Sequence, residues 1–461
     1  MLSLISVNLT SQKTKNSEKS DYSNNKIEKR RYKMSIQKMY QEKLMSANEA
    51  VKVIQPGDGI IFPIMPGEPE ALLDGIRVLD TLEDNRLYRM LPSFPIVDAP
   101  KDKLKQISIF LSGMDRKQMN AGLVDLLPNN FSDIPSILKQ REEGRYVIMA
   151  TVSPMDEDGN FSLGTSPSYV ASLIKDAKAI VLEVNENMPR TFGKNNNIHI
   201  SQVAALIENN VDLPELGNPT LNDNDLAIGK EIAAKVKDGD TLQIGFGAMP
   251  NAVMEYLVDK KDLGLHTEML PERLVDLTEK NVITNSKKEI DTGKSVATFA
   301  IGSKRLYEFM NNNKDILMEP CDYTNNFEVV NKLDNLVAIN STVEVDFFGQ
   351  CNSESVKGMY YSSTGGQADF MKGVRLTKGG TGIICLYSTA KKGTVSTIVP
   401  TLFEGAPVST SKNDIDTIVT EYGSAVLKGA TISERVERLI AIAHPDFKDD
   451  LLAAAKEKNY L

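Results

Sequence analysis

The order of hydrophobic and polar positions along the chain predicts strands that alternate with helices. Short apolar runs rich in β-branched residues occupy 146–152, 179–184, 335–345 and 381–388. Runs of this length are typical of strands that are buried on both faces. Helical patterns lie between and after them, including 166–177 and 433–443. This alternation predicts an α/β fold with mostly parallel sheets covered by helices.

Two stretches of the chain resemble each other. The first starts at Glu49 and reads EAVKVIQPGDGIIFPIMPGEPEALLDGI; the second starts at Glu231 and reads EIAAKVKDGDTLQIGFGAMPNAVMEYL. Each predicts a helix, a Gly-Asp turn, an apolar strand, a Gly/Pro loop and a second helix. A single repeat at about 180 residues is too long for a solenoid. It predicts two similar α/β domains, with the active site in the cleft between them.

The domain boundaries follow from turn formers and charge. Many turn-forming residues lie in 212–227, so we expect an N-terminal domain at 36–222 and a C-terminal domain at 223–461. Residues 1–33 carry eight Lys/Arg against three Asp/Glu. We expect residues 1–35 to be a disordered extension, or to precede a true start at Met34. A weak organellar presequence is the alternative, so we expect a cytoplasmic protein while import through 1–33 stays open.

Composition disfavours several classes of protein. The net charge is −9, whereas nucleic-acid-binding proteins usually carry a basic surplus. No run of eighteen apolar residues is present, so no membrane-spanning helix is expected. Three cysteines and three histidines are widely spaced, which argues against a disulfide scaffold or a metal centre. We therefore expect no metal, nucleic-acid or membrane partner.

One glycine-rich loop distinguishes the second copy of the repeat from the first. Residues 243–247 read QIGFG, where the first copy has IFPIM. A GxG turn allows a ligand to approach the backbone, and its N–H groups are suited to holding an oxyanion. An ordinary tight turn is the alternative interpretation. Pro250 stands where a dinucleotide fingerprint would have its third glycine, so a nucleotide-binding Rossmann site is disfavoured.

A candidate nucleophile follows this loop in the segment DLGLHTEM (262–269). Glu268 lies 25 residues beyond Gln243, which leaves room for one helix and a return to the same loop. A carboxylate beside oxyanion donors can attack an acyl group. The alternative is a solvated glutamate. His266 is either a base or a packed side chain.

Two further segments are candidates for binding an anion. The run SSTGGQADF (362–370) can present backbone donors or a helix N-terminus, and the alternative is a Gly-Gly turn. Lys391 and Lys392 beside Gly393 suit a phosphate group, and the alternative is a solvated lysine pair.

Together these segments resemble the acetyl-CoA hydrolase/transferase family of class I CoA-transferases. The resemblance rests on 242–253, 262–269, 362–370, 420–447 and the turn SPMDEDGNFSLG (153–164). Within the family, the chain is most similar to the 4-hydroxybutyrate and butyryl-CoA:acetate CoA-transferases. The resemblance implies that Glu268 is catalytic and that the loop at 63–72 shapes the acyl pocket. It also implies CoA contacts, made by Gln243, Ile244, Gly245, Phe246, Gly247, Val343, Gly366 and Lys392.

The implied activity is an acyl-CoA:carboxylate CoA-transferase. CoA would move between a short-chain acyl-CoA (butyryl, propionyl or 4-hydroxybutyryl) and acetate by ping-pong exchange through a glutamyl-CoA thioester. Glu268 is expected to be ionised at pH 7, as an ordinary glutamate is, with backbone donors at Gly245, Gly247 or Gly366 for the oxyanion. No cofactor is expected, since CoA is itself a substrate, and a homodimer or higher homo-oligomer is expected. An acyl-CoA hydrolase on the same scaffold and a non-catalytic CoA-binding metabolite sensor are the alternatives.

Overall fold

The computed structural model describes residues 32–217 and 220–461. The prediction for residues 1–35 therefore lies almost entirely outside the described residues. A helix spans 32–43, and Ile36 is buried within it. The domain boundary at residue 222 stays a prediction.

The first half contains seven strands: β1 Gly59–Ile61, β2 Asn85–Met90, β3 Leu104–Phe110, β4 Val124–Leu126, β5 Tyr146–Val152, β6 Ala179–Val184 and β7 Ala205–Glu208. They form a fully parallel sheet in the order β4-β3-β2-β1-β5-β6-β7. The helices of this half after 32–43 are Ala47–Ala50, Glu70–Arg77, Arg116–Asn120 and Ile134–Glu142.

The main sheet of the second half contains β8 Thr241–Ile244, β9 Gly264–Leu265, β10 Leu336–Ser341, β11 Thr381–Cys385, β12 Thr417–Thr420 and β13 Gly423–Val426. Their order is β9-β8-β10-β11-β12-β13, and only the last pair is antiparallel. The helices are Asp223–Ala233, Ala248–Val253, Leu274–Glu279, Lys304–Met310, Cys321–Thr324, Phe327–Val330, Gln367–Val374, Ile432–Ala441 and Lys448–Glu457.

Short strands extend the two halves around their sheets. They pair Asn160–Ser162 with Asn197–His199, Met269–Leu270 with Phe299–Ala300, Ser295–Ala297 with Ile316–Met318, Glu344–Asp346 with both Cys351–Asn352 and Ile398–Val399, Ser355–Val356 with Met359–Tyr360, and Thr389–Ala390 with Val395–Ser396. The last two pairs are hairpins.

The internal repeat is visible in the turns that precede β1 and β8. Asp58 accepts a hydrogen bond from the N–H of Gln55 at 2.9 Å, and Asp240 accepts one from the N–H of Lys237 at 2.7 Å. Each turn contains a glycine with positive φ, Gly57 at 76° and Gly239 at 83°, a conformation that other residues rarely adopt. Two similar α/β domains with mostly parallel sheets are therefore confirmed.

The strands are apolar because both faces of each sheet are covered. In β5, Val147 and Met149 pack on one side, while Ile148 and Ala150 pack on the other. The predicted strands 146–152 and 179–184 match β5 and β6, and the predicted helix 433–443 matches Ile432–Ala441. The predicted strand 335–345 is split between β10 and Glu344–Asp346.

The helix predicted over 166–177 is wrong. This segment contains turns and one 3-10 turn at Ile174–Asp176, although eight of its twelve residues are buried. Its backbone is paired with the second half of the chain: Ser168 N–H donates to Thr298 O, and Ser168 O accepts from Cys321 N–H, each at 3.0 Å. Tertiary hydrogen bonds have replaced the helical ones here.

Candidate active site

A cavity of about 390 Å³ lies between the two domains, at the carboxyl ends of their strands. Residues that follow or end β2 and β3 line one wall, among them Leu91 and Phe110, and the ends of β8 and β10 line the other. A separate cavity of about 440 Å³ is lined by residues around Pro154, Met188 and Tyr307 and contains none of the predicted site residues. We therefore place the candidate site in the first cavity.

Glu268 lies in this cleft beside the Gln243–Gly247 loop, as its spacing predicted. The preceding residue connects the two motifs: Thr267 Oγ1 donates to Ile244 O at 3.0 Å and accepts from Ile244 N–H at 3.2 Å. The carbonyl oxygen of Glu268 accepts from the N–H groups of Thr298 and Phe299. The backbone of the candidate nucleophile is therefore fixed on both sides.

The Glu268 carboxyl is held by Asn325 and Gly366. Asn325 Nδ2 donates to Glu268 Oε2 at 2.8 Å, and the backbone N–H of Gly366 also stabilises the carboxylate. Gly366 is the N-cap of the helix Gln367–Val374, so the anion that this helix end faces is Glu268 itself. A Cβ on Gly366 would lie 1.8 Å from Glu268 Oε2, so only glycine fits.

Burial dominates the electrostatics of this carboxyl. It raises the pKa of Glu268 to about 8, with the nearby Asp369 adding to the rise, while Asn325 and Gly366 oppose it. The expectation that Glu268 is ionised like an ordinary glutamate at pH 7 is therefore wrong for the free site. A carboxylate with a raised pKa is a stronger nucleophile when it ionises, because its charge is poorly solvated.

Asp369 joins the two domains beside the site. Its carboxyl accepts from Ser132 Oγ at 2.8 Å and from Ser132 N–H at 3.0 Å, and Phe131 N–H donates to Gly365 O at 3.1 Å. Burial raises the pKa of Asp369 to about 7 despite these two hydrogen bonds. The first domain thus contacts the same turn that holds Glu268.

His266 packs and does not act as a base. Its side chain is fully buried, and Nε2 is 2.8 Å from Thr324 O, to which it donates. Burial lowers the pKa of His266 to about 3, with Lys288 adding to the effect, so the ring is neutral at pH 7. The hydrogen bond fixes the backbone next to Asn325, which in turn holds Glu268.

Besides Ile244, two residues of the Gln243–Gly247 loop have structural partners. The N–H of Gly245 donates to Ile339 O at 2.7 Å, so the expectation that it stabilises an oxyanion is wrong. A Cβ on Gly245 would lie 2.8 Å from that oxygen, which explains why this position is glycine. Gln243 exchanges amide hydrogen bonds with Asn340, at 2.8 and 3.3 Å.

The remaining residues predicted to contact CoA are placed as follows. Ile244, Phe246, Val343 and Gly366 line the cleft, with Phe246 54% exposed. Gly247 is the N-cap of Ala248–Val253, and within the described residues its N–H and that of Phe246 donate to no acceptor. Lys392 lies in the turn of the hairpin formed by Thr389–Ala390 and Val395–Ser396, outside the residues that line the cleft. Their roles in CoA binding stay predictions.

The loop at 63–72 does not line the cleft. It lies behind the wall: Glu68 forms an ion pair with Arg89 and accepts from Ser93 N–H at 2.8 Å. The apolar wall is made instead by Leu91, Phe110 and Leu111.

Sequence reasoning missed Asn325 and Arg116. Asn325 lies in the run CDYTNN, in which nothing local separates it from Asn326. Arg116 begins a five-residue helix after β3 and lines the cleft from the first domain. For Arg116 the one available signal is its position just after the carboxyl end of a strand, where ligands bind in folds of this kind.

Comparison with known proteins bears on this site. The N-terminal domain of the acetyl-CoA hydrolase/transferase family matches residues 24–213, and its C-terminal domain matches residues 302–455. The chain belongs to the acetyl-CoA hydrolase/transferase family. Like its curated relatives, it is a CoA-transferase.

Three relatives illustrate the match. A succinyl-CoA:cyclohexane-1-carboxylate CoA transferase of Geobacter metallireducens is 44% identical over 93% of this chain and 98% of its own. A 4-hydroxybutyrate coenzyme A transferase of Clostridium kluyveri is 40% identical over 92% of this chain and 100% of its own. The crystal structure of RipA from Yersinia pestis has a TM-score of 0.86 at 38% identity, covering 92% of this chain and all of that one.

None of the helices within 32–217 and 220–461 has the length and apolarity needed to cross a bilayer. In the same part of the chain, no three His, Cys, Asp or Glu side chains are grouped as metal ligands, and Cys321, Cys351 and Cys385 are buried and free.

Proposed function

We propose that this CoA-transferase moves CoA between a short-chain acyl-CoA and acetate, with Glu268 as the covalent nucleophile. The observation that carries the proposal is the Glu268 carboxyl in the interdomain cleft, held by Asn325 Nδ2 at 2.8 Å beside an apolar wall. Butyryl, propionyl and 4-hydroxybutyryl groups are the proposed acyl groups. Both substrates are small acids linked in turn to the same carrier, so no further cofactor is required.

The first half-reaction uses Glu268 as an acceptor of the acyl group. The ionised carboxylate attacks the thioester carbonyl, the C–S bond breaks, and an acyl-glutamyl anhydride and the CoA thiolate form. The thiolate then attacks the glutamyl carbonyl of the anhydride, which releases the free acid and leaves a glutamyl-CoA thioester. One thioester has replaced another, so the step needs no energy from a nucleotide.

The second half-reaction reverses these events. The carboxylate of the acceptor acid attacks the glutamyl thioester, giving a new anhydride and the thiolate. The thiolate attacks the acyl carbonyl, and the new acyl-CoA leaves with Glu268 regenerated.

The donors around Glu268 support stabilisation of the oxyanions that form on its own carboxyl carbon. When the thiolate or an acceptor carboxylate attacks the glutamyl carbonyl, the charge falls on a Glu268 oxygen; Asn325 Nδ2 donates to Glu268 Oε2, and the N–H of Gly366 also favours the charged carboxyl. Removing one such donor typically costs about 10²–10³-fold in rate. The N–H groups of Phe246 and Gly247, in the loop beside Glu268, are further candidates for the oxyanion that forms on the acyl carbon.

A matrix of acyl-CoA donors and acid acceptors tests this function. Initial rates measured at several fixed acceptor concentrations should give parallel double-reciprocal lines, as expected for ping-pong exchange. Intersecting lines would indicate a ternary complex and contradict the mechanism. A reaction without added acid is the control: release of free CoA at the full rate there would show a hydrolase instead.

A further inference from the structure

Arg116 is the one positively charged side chain among the described residues that line the cleft. It comes from the first domain, six residues after Phe110 at the end of β3. Leu91, Phe110 and Leu111 lie on the same wall, and Met269 lies next to Glu268. The wall from the first domain therefore combines an apolar surface with the cation of Arg116, while Glu268 lies on the wall from the second domain.

The guanidinium of Arg116 is oriented but its charge is not neutralised. Nε donates to Tyr361 O at 2.5 Å, and the guanidinium carbon lies 3.5 Å from the centre of the Tyr361 ring. Within the described residues, the two terminal nitrogens donate to no acceptor, and no carboxylate lies within 4.0 Å of them. A guanidinium held in this way presents a planar pair of donors, which matches the two oxygens of a carboxylate.

Lysines on the second domain offer a separate place for the phosphates of CoA. Lys357 and Lys391 come from the turns of two neighbouring hairpins and lie against each other, which lowers the pKa of Lys391. Lys392 follows in the same turn. Because these three exposed lysines can bind the phosphates of CoA, Arg116, which lies on the other domain, is available to bind the acid.

We infer that Arg116 binds the distal carboxylate of a dicarboxylic acid, so that one of the two acids exchanged by this enzyme carries two carboxyl groups. One carboxyl would react at Glu268, the methylene stem would pack on Leu91, Phe110 and Leu111, and the second carboxyl would meet the Arg116 donors. This inference rests on the proposed function and adds a dicarboxylic acid to the acids that the enzyme exchanges.

Arg116 also joins the two domains through Tyr361, so its loss has a structural alternative. A contact that only holds the cleft together would affect all acids alike. Selectivity between a dicarboxylic and a monocarboxylic acid separates the two roles, because only a direct contact with the second carboxylate changes their ratio.

The test compares succinate with acetate as acceptor, using butyryl-CoA as donor. The variants are Arg116→Gln and Arg116→Lys; the matched control is Lys117→Gln, which removes the same charge from the next residue of the helix. In Arg116→Gln the ratio of kcat/KM for succinate to that for acetate should fall by about 10-fold or more, as expected for a charge-assisted pair. Arg116→Lys should lie between it and the wild type, and Lys117→Gln should leave the ratio unchanged.

Three results would overturn the inference without contradicting the proposed function. The first is a wild-type enzyme that uses acetate but not succinate, which leaves the proposed function intact. The second is an equal loss for both acids. The third is an unchanged ratio with a raised KM for butyryl-CoA, which would assign Arg116 to a phosphate of CoA. If the wild type turns over with neither acid, the proposed function fails and this inference fails with it.

Discussion

At the scale of single residues, the chemistry depends on how Glu268 is held. The side chain is placed by Asn325 and Gly366, while burial disfavours its charge. Asn325 is in turn placed by the hydrogen bond from His266 to Thr324 O. The candidate nucleophile is thus supported by neighbours that do not need to react.

Replacing Glu268 should abolish transfer while the protein stays folded. We expect Glu268→Ala and Glu268→Gln to lower kcat by about 10³-fold or more, because no covalent intermediate can form. Glu268→Asp should be nearly as damaging, since its carboxylate is withdrawn by about an ångström. Thermal unfolding is the control for folding, and a Glu268→Ala variant with wild-type rates would exclude this residue as the nucleophile.

The pH dependence should report the raised pKa of Glu268. The ionised form reacts, and burial places its pKa at about 8, so kcat/KM should rise with pH up to about 8 and level off above it. Asp369→Asn removes a neighbouring negative charge and should move the midpoint to lower pH. A profile that is flat across this range would show that the free carboxyl is already ionised at pH 7.

Asn325 should influence both the rate and this midpoint. Asn325→Ala removes a donor to the charged form, so the midpoint should move to higher pH and kcat at pH 7 should fall by about 10–100-fold. Asn326→Ala, at the neighbouring position, is the matched control. Equal effects of the two variants would mean that the amide acts through local folding and not on Glu268.

Sequence reasoning placed Glu268 correctly in the cleft but was wrong to expect the N–H of Gly245 to be free for an oxyanion. The spacing from Gln243 to Glu268 is a local feature that implies a helix and a return. Whether an N–H is free depends on a strand about a hundred residues away, since Gly245 is paired with Ile339. The same applies to Asn325, whose role follows from its partner and not from its neighbours in sequence.

At the scale of elements, the turn at Gly365–Gly366 connects the start of a helix with the nucleophile. Gly366→Ala would place a methyl group 1.8 Å from Glu268 Oε2 and 2.0 Å from Asn325 Nδ2. Both side chains would have to move, and we expect kcat to fall by about 10²-fold. Gly217→Ala, where none of the described residues lies within 4 Å of the added Cβ, is the matched control and should keep full activity.

The first domain supports this turn through Asp369. Asp369→Ala leaves both donors of Ser132 without their acceptor, so the free energy of unfolding should fall by about 1–3 kcal/mol in chemical denaturation. Asp133→Ala, an exposed neighbour, should change it little. An unchanged stability in Asp369→Ala would show that the interdomain contact forms without these hydrogen bonds.

Strands were easier to predict than helices. Buried parallel strands have a continuous apolar pattern, so β5 and β6 were found to the residue. The segment 166–177 has the composition of a helix, but Ser168 is paired with the second domain on both sides. Interdomain hydrogen bonds of this kind leave no periodic trace in the sequence.

At the scale of the whole molecule, the two halves share a fold but differ in their role. Both keep the Asp turn before the first strand of the repeat. The second half supplies Glu268, Asn325 and Gly366, while the first supplies Leu91, Phe110, Leu111 and Arg116. On this account one domain carries the chemistry and the other selects the acid.

A covalent glutamyl-CoA thioester at Glu268 is the central claim, and mass spectrometry tests it most directly. The enzyme is incubated with butyryl-CoA without an acceptor, quenched with acid and digested. The mass of the peptide that contains residues 262–269 is then measured. We expect a gain equal to CoA less one water, which disappears when acetate is added before the quench and is absent in Glu268→Gln. An unmodified peptide from an enzyme that is turning over rapidly would contradict the account.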